Sequence, residues 1–131
     1  MNKVITGVVV LLLAGCATKP TLDELNSADY GAYPYGYKDT ISSHMSRRLK
    51  DPESARYDYL NQPQKAWNGF GGAKYGYAVC VNVNAKNSFG GYTGGQMSYF
   101  LLRGSSVIDS SHGNSEYSAI FVKGLCKSFI N

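Results

Sequence analysis

The alternating stretch Lys74–Asn84 constrains this chain more than any other. Tyr75, Tyr77, Val79, Val81 and Val83 fall on one face of an extended backbone, and Gly76, Ala78, Cys80, Asn82 and Asn84 on the other. A period of two in β-branched and aromatic residues specifies a strand with a buried face. At Asn84 the alternation stops. Asn84, Lys86, Asn87 and Ser88 are polar, and Gly90, Gly91, Gly94 and Gly95 supply turn-permissive backbone. The reading is a central strand that runs into a long polar loop.

The other elements are placed around that strand. Ala55–Leu60 alternates again and reads as a strand, and Met97–Arg103 with Ser105–Ser110 reads as a hairpin turned at Arg103-Gly104. Gln62–Gly72, with Pro63, Asn68-Gly69 and Gly71-Gly72, reads as a loop from which Trp67 and Phe70 fold back onto the core. His112-Gly113-Asn114 reads as a second turn. Asp39–Leu49 has apolar residues every fourth position (Ile41, Met45, Leu49), with Asp39 or Thr40 as cap and Pro52 as stop. His44 sits at the margin of that stripe, as a half-buried surface histidine. In Glu116–Ile130 the residues Tyr117, Ile120, Phe121 and Leu125 make a helical face that Val122, Cys126 and Phe129 widen. Ile120-Phe121-Val122 would also suit a strand, but fifteen residues is long for one, so the helix is preferred. The fold expected is α+β: a small antiparallel sheet of about four strands, with an N-terminal and a C-terminal helix packed on it.

The first fifteen residues have the composition of a bacterial signal peptide, with Lys3 before an apolar run from Val4 to Leu13. That run is too short to cross a bilayer as a helix, which takes roughly 20 residues. It ends in Leu13-Ala14-Gly15-Cys16, which resembles the bacterial lipobox. The resemblance implies cleavage before Cys16, modification of that cysteine with diacylglycerol and palmitate, and Ala17 as an outer-membrane sorting residue. Cleavage removes one cation, Lys3, from 13 basic residues and none of the 9 acidic ones, leaving a net charge of +3. So mild and scattered a charge gives no argument for nucleic acid. Arg47, Arg48 and Lys50 form the one local cluster and read as a solvated helix end.

With Cys16 on lipid, Cys80 and Cys126 remain, and two cysteines in an oxidising compartment most simply pair. A metal site is the weaker alternative, because only His44 and His112 are available and a tetrahedral site takes about four ligands. Residues 16–38 read as a lipidated tether that ends in a Tyr-rich segment, and 39–131 as one globular domain. Within the tether, Thr21 and Glu24 suit a capping box. Tyr30, Tyr33, Tyr35 and Tyr37, interleaved with Gly and Pro, suit an extended segment laid over the domain with its rings packed.

Three runs carry a wider resemblance: Ala28-Asp29-Tyr30-Gly31, Leu49-Lys50-Asp51-Pro52-Glu53-Ser54-Ala55, and Val79-Cys80-Val81-Asn82-Val83-Asn84-Ala85-Lys86-Asn87-Ser88-Phe89-Gly90-Gly91-Tyr92-Thr93-Gly94. Together they resemble a family of small Gram-negative lipoproteins. The likeness covers most of residues 28–108 and implies a location and a shape. It brings no activity, cofactor or catalytic residue with it. A looser likeness, in size and anchor alone, is to the small lipoproteins of the outer-membrane assembly machinery.

An enzyme is disfavoured by the residues themselves, since the carboxylates are spread singly and no nucleophile has a legible base. Phe89-Gly90-Gly91-Tyr92-Thr93-Gly94-Gly95 lacks the Gly-Lys-Ser/Thr ending of a phosphate-binding loop. The candidate binding loop is Asn84, Lys86, Asn87, Ser88 and Tyr92. It is weighed against the simpler reading that Asn and Ser stitch their own loop, with Asn84 and Asn87 as the stitching residues. Two functions follow. One is a structural or interaction lipoprotein of the outer membrane, on its periplasmic face, binding an envelope protein. The other is a periplasmic inhibitor or ligand-binding module, for example against a cell-wall hydrolase.

Overall fold

The computed structural model describes residues 19–69 and 72–130. The leader, Cys16, Ala17 and Phe70 lie outside them. After a short first helix α1 (Leu22–Ser27) come α2 (Tyr37–Ser46), a 3-10 turn at Pro52–Ser54, β1 (Arg56–Tyr59), β2 (Gln64–Asn68), β3 (Lys74–Asn84), β4 (Gln96–Arg103), β5 (Ser106–His112) and α3 (Glu116–Cys126). All strand pairings are antiparallel, and helices flank the sheet at both ends of the described chain, so the fold is α+β.

The sheet order is β1-β3-β4-β5, and β2 also pairs with β3. β1 runs beside Val81–Asn84 and β2 beside Lys74–Ala78, so the two short strands share one edge of β3 end to end. Asn61 fills the gap between them. Its Oδ1 accepts from the Cys80 amide at 2.7 Å and its Nδ2 donates to the Ala78 carbonyl at 3.0 Å. A side chain thus completes the ladder where no strand does. β2 is a fifth strand inside what reads as a loop from sequence. Its residues, QKAWN, do not alternate cleanly, because they lie on an edge with only Ala66 buried.

The sheet is covered on both faces. On one, Val79, Val81, Val83, Phe100 and Leu102 pack under Ile41 and Met45 of α2. Tyr75 and Tyr77 continue that face and are covered by the Tyr-rich segment. Tyr30 meets Tyr75 edge-on with centroids 5.6 Å apart, and Tyr33 meets Tyr77 at 5.2 Å. Arg103 locks the segment down: its guanidinium donates to the Asp29 carbonyl and the Tyr75 carbonyl and pairs with the Asp29 carboxylate at 3.2 Å. Asp29 also accepts from the Gly31 amide, and that bond, with the Arg103 charge, holds its carboxyl below the usual range. The expected capping box of α1 is present, Thr21 and Glu24 each bonding the other's amide.

On the second face Ala78, Cys80, Tyr99 and Leu101 pack against Val122 and Cys126 of α3. A Cys80–Cys126 disulfide joins strand to helix. α3 is a helix, as its apolar spacing predicts, but it turns a different face inward. Val122 and Cys126 are buried, whereas Tyr117, Ile120 and Phe121 point outward. The disulfide selects this orientation, since Cys126 must meet β3. α2 differs from expectation at its start. It begins at Tyr37 with Gly36 as N-cap, Asp39 lies in its first turn, and the Thr40 hydroxyl bonds back to the Gly36 carbonyl instead of capping. His112 belongs to β5 rather than to the turn that follows.

Gly76 marks the tightest approach in the sheet. A Cβ there would stand 2.6 Å from the Leu102 carbonyl oxygen and 3.1 Å from Leu101 Cγ. Gly76→Ala should therefore lower stability by about 1–3 kcal/mol, as overpacking does, read as a fall in midpoint in urea unfolding. The disulfide closes a loop with a sequence separation of 46. Replacing both cysteines by Ala should cost up to about 4 kcal/mol, and both thiols of the native protein should be inert to maleimide without reductant.

Candidate functional site

The polar loop after β3 is built from its root upward. Asn84 is the last β3 residue and pairs with Arg56. Lys86 and Tyr92 form an isolated bridge, so the loop closes as a small hairpin. Its base is pinned to the 3-10 turn: the Lys86 amide donates to Ser54 Oγ at 2.8 Å and the Tyr92 hydroxyl to the Ser54 carbonyl at 2.8 Å. Asn87 stitches the tip, its Oδ1 accepting from the Phe89 and Gly91 amides at 2.9 and 3.2 Å. Asn87 thus plays the self-bonding role expected of it. Asn84 does not, because its buried Oδ1 has no hydrogen-bond partner. Tyr92 is a structural residue, its ring lying under the Arg56 guanidinium at 4.2 Å. Ser88 is exposed, and Phe89 beside it is 97% exposed.

One wall of the loop faces a cleft of about 500 Å³ that sequence reasoning does not assemble. Met45, Leu49 and Val83 supply its apolar lining, Arg48, Lys50 and Lys86 its cations, and Gln96, Ser98, His112 and Asn114 its neutral polar groups. No carboxylate lines it. The Arg103–Asp29 pair is the only ion pair among the described residues, so none of the three cations is neutralised by a neighbour. Arg48 and Lys50 follow the last turn of α2, where cations are favoured. Lys86 comes from the loop and His112 from the end of β5. Residues as distant in sequence as Arg48 and His112 meet because α2 crosses the sheet beside β5. Nothing in local spacing signals that meeting.

His112 Nδ1 lies 3.0 Å from Ser98 Oγ, within hydrogen-bond reach. Ser98 is 2% exposed, and the other His112 ring nitrogen has no partner. Burial first, then the charges of Arg48 and His44, pull the His112 pKa down to about 4. An imidazole whose pKa lies so far below neutrality is a weak proton acceptor, and among the described residues no third group orients it. His44, half-buried as expected, stands edge-on to Phe100 at 5.9 Å and is lowered by burial and by Arg48 and Arg47. Among the described residues, no three His, Cys, Asp or Glu gather as a metal site would require. What the cleft can do is hold an anion: three cations and hydrogen-bond donors around an apolar floor suit a carboxylate or phosphate.

No family model matches this chain, and no curated protein or solved structure does either.

Asn87→Ala should cost about 1 kcal/mol, the usual loss for a hydrogen-bonded side chain. Asn84→Ala should cost less, because its oxygen bonds nothing. Lys86→Ala should leave the melting temperature nearly unchanged. Stability should also depend on pH in a defined window. His112 has a folded pKa of about 4, below its ordinary 6.5. Its contribution is therefore complete above the unfolded value and is lost as pH falls through the folded one. Melting temperature should decline between pH 6.5 and 4, and His112→Gln should flatten that decline. A wild-type profile level across the window contradicts the buried, neutral imidazole.

Proposed function

We propose that this chain is a non-enzymatic lipoprotein, anchored through Cys16 in the outer membrane on its periplasmic face, that binds an envelope protein through an anionic group of that partner. The observation that carries the binding reading is the cleft itself, with Arg48, Lys50 and Lys86 around it and no carboxylate among its lining residues. The anchor rests on Leu13-Ala14-Gly15-Cys16, with its short apolar leader, and on the pairing of the other two cysteines in a disulfide. A disulfide between buried residues fits an oxidising compartment. No helix among the described residues is long and apolar enough to cross a membrane. Attachment is then the task of the lipid, each buried CH₂ contributing about 0.8 kcal/mol. The likeness to small Gram-negative lipoproteins points the same way.

The inhibitor reading keeps one observation in its favour. The Asn87-stitched hairpin projects an almost fully exposed Phe89, a shape suited to entering the cleft of a soluble hydrolase.

Cross-linking in intact envelopes followed by capture of the protein tests both. A membrane-protein complex that is lost in the Arg48→Ala, Lys50→Ala, Lys86→Ala triple variant is the expected result. Capture of a soluble hydrolase that survives the triple variant and is lost with Phe89→Ala supports the inhibitor instead. For the anchor, Cys16→Ser should accumulate unprocessed precursor, and a native mature N-terminus without acyl mass would rule the lipid out.

A further inference from the structure

The outward face of α3 is an apolar surface that shares a groove with Lys19, the first described residue. Tyr117, Ile120 and Phe121 are 87, 66 and 50% exposed. With Gly124 they occupy positions i, i+3, i+4 and i+7, a single helical face opposite the buried Val122 and Cys126. Shallow apolar grooves run along both sides of this ridge. One, about 470 Å³, is lined by Met97, Ile120 and Ile130 and rimmed by Lys123 and Lys127. The other, about 570 Å³, brings Phe121, Leu125 and Trp67 together with Lys19 and Lys74, and carries the one carboxylate, Asp109.

We propose that this face lies in the headgroup layer of the membrane, making α3 an interfacial helix that fixes how the domain sits on the bilayer. The inference rests on the lipid-anchor reading of Cys16. Two residues, Ala17 and Thr18, separate Cys16 from Lys19, and the three steps span at most about 11 Å. Pro20 is buried, so the chain is already held against the domain at that point. The surface around Lys19 is consequently the part of the domain that a lipid on Cys16 brings to the membrane. A polar surface there would resist contact with acyl chains. This one instead joins aromatic and aliphatic side chains to lysines, the composition of interfacial helices on anionic lipid. Lys123, Lys127, Lys19 and Lys74 reach the headgroups while Ile120 and Phe121 enter the acyl boundary, about 5–10 Å deep.

Trp67 is the single tryptophan and shares a groove with Phe121, so it reports contact directly. The native lipidated protein is reconstituted into vesicles of phosphatidylethanolamine and phosphatidylglycerol, with and without bromine on the acyl chains near the headgroup. The expected result is Trp67 quenching by the brominated lipid that falls by about half or more in lipidated Ile120→Asp and in the milder Tyr117→Ser, at a largely exposed position. Both variants should still float with the vesicles. Floating protein whose Trp67 is unquenched, or quenched equally in wild type and variants, overturns the inference and leaves the anchor standing. Native protein that does not float overturns the anchor and the inference together. Unlipidated chain that forms a dimer broken by the same substitutions assigns the face to a second copy instead.

Discussion

The structure depends on one strand that is buried on both sides. Ala78, Val79, Cys80 and Val81 of β3 are wholly inaccessible, so neither face of the strand can meet water. A five-stranded sheet alone cannot satisfy that. One cover comes from before the strand in the chain and the other from after it. α2 and the Tyr-rich segment provide the first, and α3 provides the second. The Cys80–Cys126 bond sits at the centre of this arrangement, tying the most buried part of β3 to the last turn of α3. Because that bond decides which side of α3 faces inward, it also decides which side faces outward, and with it the position of Tyr117, Ile120 and Phe121.

The N-terminal segment is as much a part of the domain as the helices. Arg103, at the end of β4, holds Asp29 and the Tyr75 carbonyl at once, while the Gly104 amide donates to the Ala32 carbonyl at 2.8 Å. Gly31 takes a positive φ of 76° directly over the Arg103 side chain, where a Cβ would come within 3.0 Å of Nε. That close stacking needs glycine. The docked segment leaves only a short link between Cys16 and the folded domain.

The features legible in sequence are those set by local periodicity and local capping. β3 is read from its alternation, α3 from its spacing, and the Thr21–Glu24 box and the Asn87-stitched turn from their residue types. What escapes is set by distant partners. β2 lacks a clean alternation because its only buried side chain is Ala66, and its pairing is supplied by β3. Asn61 acts as a piece of strand only because a gap exists opposite Cys80. The inward face of α3 is chosen by a cross-link, against the face that hydrophobicity alone would select. In the cleft, Lys86 is identified from its place after the strand. Arg48 and Lys50 read as an ordinary helix end, and His112 as a turn residue, until the packing of α2 beside β5 brings them around one space.

Hydrogen exchange on the native protein, with and without reductant, tests the dependence of the outer layer on the inner strand most directly. Oxidised, the amides of β3 and α3 should both be strongly protected. After reduction, protection across Glu116–Cys126 should collapse while that of Val79–Val83 persists, because α2 still covers the other face. If α3 keeps its protection when the disulfide is reduced, the bond is not what holds the helix to β3, and the account of which face it turns outward is contradicted.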